Sequence, residues 1–189
     1  MRRVVATSLA ALLLAACGQG DGGNNAAGAG EAETNLSTQA GAPSQDLAGV
    51  IGATPRLAQL IKAAGMEKVL SGKAPYTILA PTDAALNKLP AGSLDNLDQP
   101  AQKAKLTALL RAHILPGTIL AADLTRAVES GKGKATIATM AGQPLTITRE
   151  GAAFRVSNAA GQSARITGSE QPARNGVVHE IDTVLVPSG

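Results

Sequence analysis

The chain has 189 residues, with 17 lysines and arginines against 14 aspartates and glutamates and a single cysteine. That length suits one domain with appendages rather than two full domains. Setting aside Arg2 and Arg3, which read as part of a leader, the basic excess falls to one charge, and Tyr76 and Phe154 are the only aromatic residues. With no charge field and no stacking platform, nucleic acid is not an expected partner.

The first residues, "MRRVVATSLAALLLAAC", place two arginines before an apolar run from Val4 to Ala16. The run falls short of the ~20 residues that a membrane-spanning helix needs. Basic start, short apolar stretch and small residues predict an export signal over residues 1–16. Leu14-Ala15-Ala16-Cys17 resembles the bacterial lipobox, which implies cleavage before Cys17 and acylation of that cysteine. An ordinary secretory signal ending near a cysteine is the alternative. Several acyl chains, at about 0.8 kcal/mol per buried CH₂, would hold such a protein to a membrane. Gly18 stands where an aspartate would retain a Gram-negative lipoprotein at the inner membrane, so the resemblance implies the outer membrane, on its periplasmic face or at the cell surface. With Cys17 committed, the rest of the chain has no thiol for a disulfide, a metal or a nucleophile.

Residues 17–44 continue as Gly, Ala, Asn, Ser, Gln and Thr with only Asp21, Glu31 and Glu33 charged. Such a stretch has no periodicity and little to bury, and reads as a disordered tether with a reach of roughly 30 Å. Residues 45–189 read as one folded domain, long enough to bury about two-thirds of its unfolded surface. Its charges are scattered along the chain and read as solvated surface.

Within that domain the spacing predicts helices first. "TPRLAQLIKAAG" offers Thr54 as N-cap, Pro55 at the first helical position, Leu57, Leu60, Ile61 and Ala64 on one face, and Gly65 as a stop. "YTILAPTDAALNKLP" changes from strand to helix at a proline. Tyr76 to Ala80 reads as a strand buried on both faces; Pro81 cannot donate, so pairing is expected to stop there. Thr82 or Asp83 then caps the next helix, and Asp83 suits the positive end of its dipole. "DQPAQKAKLTALLRAHI" repeats the helical logic: Asp98 and Pro100 open it, Leu106, Leu109, Leu110 and His113 form a stripe, and Pro116-Gly117 closes it. A shorter helix is expected over residues 122–129.

The remainder alternates like strands. "KATIATM", "PLTITRE", "AAFRVSN" and "SARITG" are separated by Gly-containing turns, and the most apolar run, "NGVVHEIDTVLVP", comes last. Helices followed by mostly antiparallel strands predict an α+β fold.

"YTILAPTDAAL" resembles the first conserved box of fasciclin domains, and "NGVVHEIDTVLVP" their terminal box. "LLRAHILPGTIL" is similar to the family's central histidine region, and "TIATMAGQPLTIT" to its strand–Gly–strand hairpin. The four segments stand in family order across nearly all of the chain beyond the tether. The resemblance implies a fasciclin-like β-wedge or sandwich with helices packed in the N-terminal half. It also implies adhesion or binding of an envelope or matrix protein or glycan, without catalysis. Some relatives carry apolar pigments such as carotenoids, which makes an apolar-ligand carrier the second functional reading. Ala112 precedes His113 and Thr118 follows Pro116-Gly117, so the family's tyrosine–histidine integrin-binding region is half present and integrin binding does not carry over.

The residues singled out for chemistry all read as structural. His113 lies on an apolar stripe and is expected to be a buried imidazole bonded to a backbone carbonyl. His179 should share a strand face with Ile181. Asn175-Gly176 resembles the family's turn before the last strand, where glycine supplies backbone freedom. Asp83, His113, His179 and Asp182 show no H-x₃-H or H-E-x-x-H spacing for a metal. No nucleophile elbow or phosphate-binding glycine loop occurs, so neither a catalytic residue nor a cofactor is expected.

Overall fold

A computed structural model describes residues 43–90, 92 and 99–187. The leader, Cys17, the tether up to Ala42 and Asp98 lie outside the described residues. The described residues all belong to one compact unit, Ala40–Gly189.

Among the described residues, six helices and seven strands follow in the order α1 (Leu47–Ile51), α2 (Pro55–Ala64), α3 (Glu67–Leu70), β1 (Tyr76–Pro81), α4 (Asp83–Asn87), α5 (Pro100–Ala112), β2 (Ile114–Pro116), α6 (Ala121–Ser130), β3 (Lys134–Ala138), β4 (Pro144–Glu150), β5 (Ala153–Asn158), β6 (Ser163–Ala173) and β7 (Gly176–Ile181). The fold is α+β, as the sequence pattern predicts. The strands form one sheet in the order β2-β1-β7-β6-β5-β4-β3. The Met140 N–H, just past β3, donates to the Ile114 carbonyl at 2.8 Å, so the two outer strands approach and the sheet comes close to closing.

α2 shows how local signals set the helical layer. Pro55 occupies its first turn, and Leu57, Leu60, Ile61 and Ala64 are its buried face. Gly65 adopts φ 71°, and the N–H groups of Gly65 and Met66 return to the carbonyls of Lys62 and Ile61. That pairing is a Schellman end, which glycine adopts without steric cost. Thr54 holds the N-cap position but its side chain makes no capping bond. Its N–H instead donates to Ile51, so the end of α1 sets its backbone.

The short elements α1, α3 and β2 carry no periodic pattern and are not visible in the sequence. β6 runs to Ala173, beyond the expected stop at Gly168, because a bulge between Thr167 and Gln171 takes up the irregularity. β7 ends earlier than the apolar run suggested. Val184 and Leu185 are buried without belonging to a strand.

β1 sits between β2, which pairs antiparallel, and β7, which pairs parallel from Tyr76↔Gly176 to Pro81↔Ile181. Pairing therefore continues through Pro81. The proline contributes no donor, but the next N–H, on Thr82, reaches the Ile181 carbonyl at 3.1 Å. Alternation along β1 sends Ile78 into a core shared with α1–α5 and Leu79 into a second core with α6 and β4–β7. The chain past β7 is divided likewise, Val184 into the first core and Leu185 into the second.

The β1–β7 pairing requires a glycine at its start. Gly176 has φ 154°, and a Cβ there would stand 1.9 Å from the Tyr76 carbonyl oxygen. Gly176→Ala should lower stability by about 3 kcal/mol or more, read as a drop in the urea midpoint. Gly161→Ala, at φ 78° with open space around it, should cost only about 1–2 kcal/mol. Equal losses in the two variants would show that the close approach to Tyr76 does not matter.

Candidate functional site

The strand-to-helix passage resolves into distinct jobs. Thr82 Oγ1 accepts from the Ala85 N–H at 3.2 Å and caps α4. Asp83 is the first residue of that helix and is exposed. It faces a shallow cleft of about 210 Å³ together with Thr54 and Glu180. Its carboxylate meets the positive helix end, so its presence is explained by electrostatics.

Asn175 has a wider reach. Its Nδ2 donates to the carbonyls of Leu70 at 2.7 Å and Gly72 at 2.8 Å, while Oδ1 accepts from the Leu47 N–H at 2.8 Å. Its own carbonyl accepts from Tyr76. One side chain thus joins the start of α1 and the end of α3 to the turn before β7. Both donors and the acceptor oxygen are engaged, leaving little for a ligand.

The two histidines each hold an irregular segment. His113 closes α5 and is 3% exposed. Its Nδ1–H donates to Leu109 O at 2.8 Å, and its Nε2 accepts from the Leu185 N–H at 3.0 Å. A carbonyl on one nitrogen and an N–H on the other define a neutral ring with the proton on Nδ1. Burial pushes the His113 pKa below its ordinary 6.5, and the bond to Leu109 offsets this only in part. His179, 2% exposed on the face shared with Ile181, donates from Nε2 to the Ile119 carbonyl at 2.8 Å.

Sequence reasoning missed Thr77, which completes the His179 arrangement. Thr77 Oγ1 donates to the Gly117 carbonyl and accepts from the Ile119 N–H, both at 2.8 Å. A hydroxyl in the middle of a strand buried on both faces was the available signal, because such a group needs partners. Between them, Thr77 and His179 pin the loop that follows β2.

Asp182 stands apart from both rings. Its Oδ1 accepts from the Arg165 N–H at 2.9 Å and its carbonyl from Lys88. Nearby, Glu150 bonds Arg155 at 2.6 Å and Arg165 at 2.9 Å; these hydrogen bonds hold its carboxyl below the ordinary range. The structure therefore does not gather Asp83, His113, His179 and Asp182 into one cluster. Among the described residues, no three His, Cys, Asp or Glu side chains are grouped to share a metal ion. Next to His113 lies a cavity of about 20 Å³, lined by Leu57, Leu60, Ile78, Leu110 and Val184 among others. That is room for about one water molecule.

A mixed sheet close to closure, with α1–α5 in the core on one face of β1 and α6 in the core on the other, tied together at Asn175, His113 and His179, defines an α+β scaffold. The chain matches the Fasciclin domain over residues 52–187, and it belongs to that family. It is 37% identical to Protein sll1483 of Synechocystis sp. over 131 residues, 69% of this chain and 66% of that protein. It is 33% identical to the Immunogenic protein MPB70 of Mycobacterium bovis over 112 residues, 59% of this chain and 50% of that protein. Among solved structures it resembles a FAS1 domain pair from the insect cell adhesion molecule Fasciclin I. That likeness has a TM-score of 0.54 and 23% identity, and covers 72% of this chain and 46% of that one. The chain thus spans between 46% and 66% of the length of these relatives.

Two measurements test the structural assignments. Asn175→Ala leaves two carbonyls and an N–H without their partner and should cost about 3 kcal/mol or more in urea denaturation. A loss below about 1 kcal/mol would show that water replaces all three bonds. For His113, the unfolded chain takes up a proton below about pH 6.5 that the folded chain refuses. Stability should therefore be level near neutrality and fall with acid at up to about 1.4 kcal/mol per pH unit. Between pH 7 and 5, wild type should show this slope and His113→Gln should not. The same slope in both would place the acid sensitivity elsewhere.

Proposed function

We propose that this fasciclin domain is a non-enzymatic binding module, exported and held to a membrane through lipidated Cys17, where it supports adhesion or contacts within the envelope or matrix. The partner is a protein or glycan of that surrounding, and the outer membrane is the proposed location. One observation carries the non-enzymatic reading. Of the buried polar side chains best suited to chemistry or ligand binding, His113 bonds backbone through both ring nitrogens, Thr77 through its hydroxyl and His179 through Nε2, and both rings are almost wholly buried. A catalytic base needs a free nitrogen facing a substrate. The adhesion reading draws support from the fold shared with a cell adhesion molecule, which is an analogy of scaffold.

The carrier reading finds no support in the enclosed core. A cavity of about 20 Å³ is far smaller than the roughly 300–1,000 Å³ of small-molecule sites.

Fractionation of native cells tests the anchoring. The full chain should sediment with membranes, and Cys17→Ser should appear in the soluble fraction. A variant that stays wholly with the membrane would overturn attachment through Cys17. Protease added to intact cells then tests adhesion. Digestion of the domain with a periplasmic control intact supports an outward-facing module; full protection removes adhesion at the cell surface as its role.

A further inference from the structure

The fold brings together some of the charges that read as scattered along the sequence. α2 and α5 pack against each other and carry Arg56, Lys62, Lys103, Lys105 and Arg111, with no carboxylate on either helix. All five are exposed. The ion pairs among the described residues lie elsewhere: Arg126 with Asp123, Glu150 with Arg155 and Arg165, and Arg174 with Asp46. Arg56 donates to the neutral side chain of Asn87, and the other four cations have no carboxylate partner among the described residues. Asp95 and Asp98, before α5, lie outside those residues.

The arrangement has a shape as well as a sign. Lys103 and Arg111 are two turns apart on α5, about 12 Å along its axis. They border an open groove of about 600 Å³ whose remaining lining is Pro100, Ala104, Thr107, Ala108 and Ala141. The Lys103 side chain also lies over Gly65, at the end of α2 just past Lys62. The Thr107 hydroxyl donates to the Lys103 carbonyl, so its proton is already committed.

We propose that this α2–α5 face docks on an anionic bilayer, with Lys103 and Arg111 at its centre engaging lipid phosphate headgroups. Two features favour a bilayer over an acidic polymer. The groove has no aromatic ring to stack on a sugar and no array of side-chain donors to match a fixed repeat. Long, solvated cations above small residues instead suit a fluid layer of headgroups that can adjust to them, each cation raising affinity about fivefold. The inference rests on the anchoring reading for proximity alone. A tether with a reach of roughly 30 Å would keep the face within range of the headgroups. Docking would then orient the domain on the bilayer.

The test uses residues 40–189, one compact unit that contains both cores, with circular dichroism first checking that the piece folds. This piece lacks Cys17, so its behaviour is independent of lipidation, which the fractionation of the full chain decides separately. The protein is sedimented with vesicles of phosphatidylcholine alone or mixed with phosphatidylglycerol, at about 0.1 M and about 0.5 M salt. It should bind only the anionic vesicles and lose them at high salt. Lys103→Glu with Arg111→Glu should weaken binding at least tenfold, while Lys134→Glu, on the exposed face of β3, should bind as wild type. Should the double reversal unfold the domain by circular dichroism, the neutral pair Lys103→Gln with Arg111→Gln serves instead and should bind several-fold less tightly. Undiminished binding by a folded variant overturns the proposal, as does wild-type binding to neither vesicle or equally to both. Tighter binding to soluble polygalacturonate than to anionic vesicles also overturns it and assigns the face to an acidic polymer.

Discussion

The first and last strands of this domain lie side by side and parallel, and the rest of the structure is arranged around that pair. Parallel neighbours cannot be joined by a tight turn, so the whole of α4–α6 and β2–β6 forms the excursion between β1 and β7. The pair begins where Gly176 passes under the Tyr76 carbonyl, at a separation that no side chain tolerates. Immediately before it, Asn175 fastens the ends of α1 and α3 to the same point. The two residues divide the work. Glycine permits the backbone approach, and asparagine satisfies the helix ends that this approach brings near.

Away from that junction, the domain relies on buried polar side chains where regular structure stops. The loop after β2 and the tail after β7 have no ladder to satisfy their backbone groups. Thr77 and His179 serve the loop, and His113 serves the tail. This explains how a domain without disulfides keeps irregular segments against its core. It also gives imidazole a structural use: a neutral ring donates on one side and accepts on the other, so it can bridge a carbonyl and an N–H. The same requirement ties His113 to its neutral form.

The proposed function belongs to the outside of the scaffold. The interior is closely filled, and the polar groups within it are bonded to the chain itself. The surface carries both paired ions and cations without a carboxylate partner. Paired ions lie over β4–β6 and α6, and carboxylate-free cations lie over α2 and α5. The proposed binding module would meet its partner through this surface, which is consistent with the filled interior.

The α+β class, the long helices α2, α5 and α6, and β4 and β5 were legible from the sequence, because periodicity, proline starts and glycine stops are local signals. The expected export and lipidation signals are also local, and they rest on the sequence alone. His113 and Asn175-Gly176 stood out through resemblance, but what they hold depends on residues 72 and 105 positions away, Leu185 and Leu70. Tertiary structure alone decided the parallel β1–β7 pair, the continuation of pairing through Pro81, and the short elements α1, α3 and β2. It also decided that α2 and α5, which carry five cations and no carboxylate, pack side by side. These depend on which distant segments meet, and a hydrophobic pattern states that a residue is buried without stating against what.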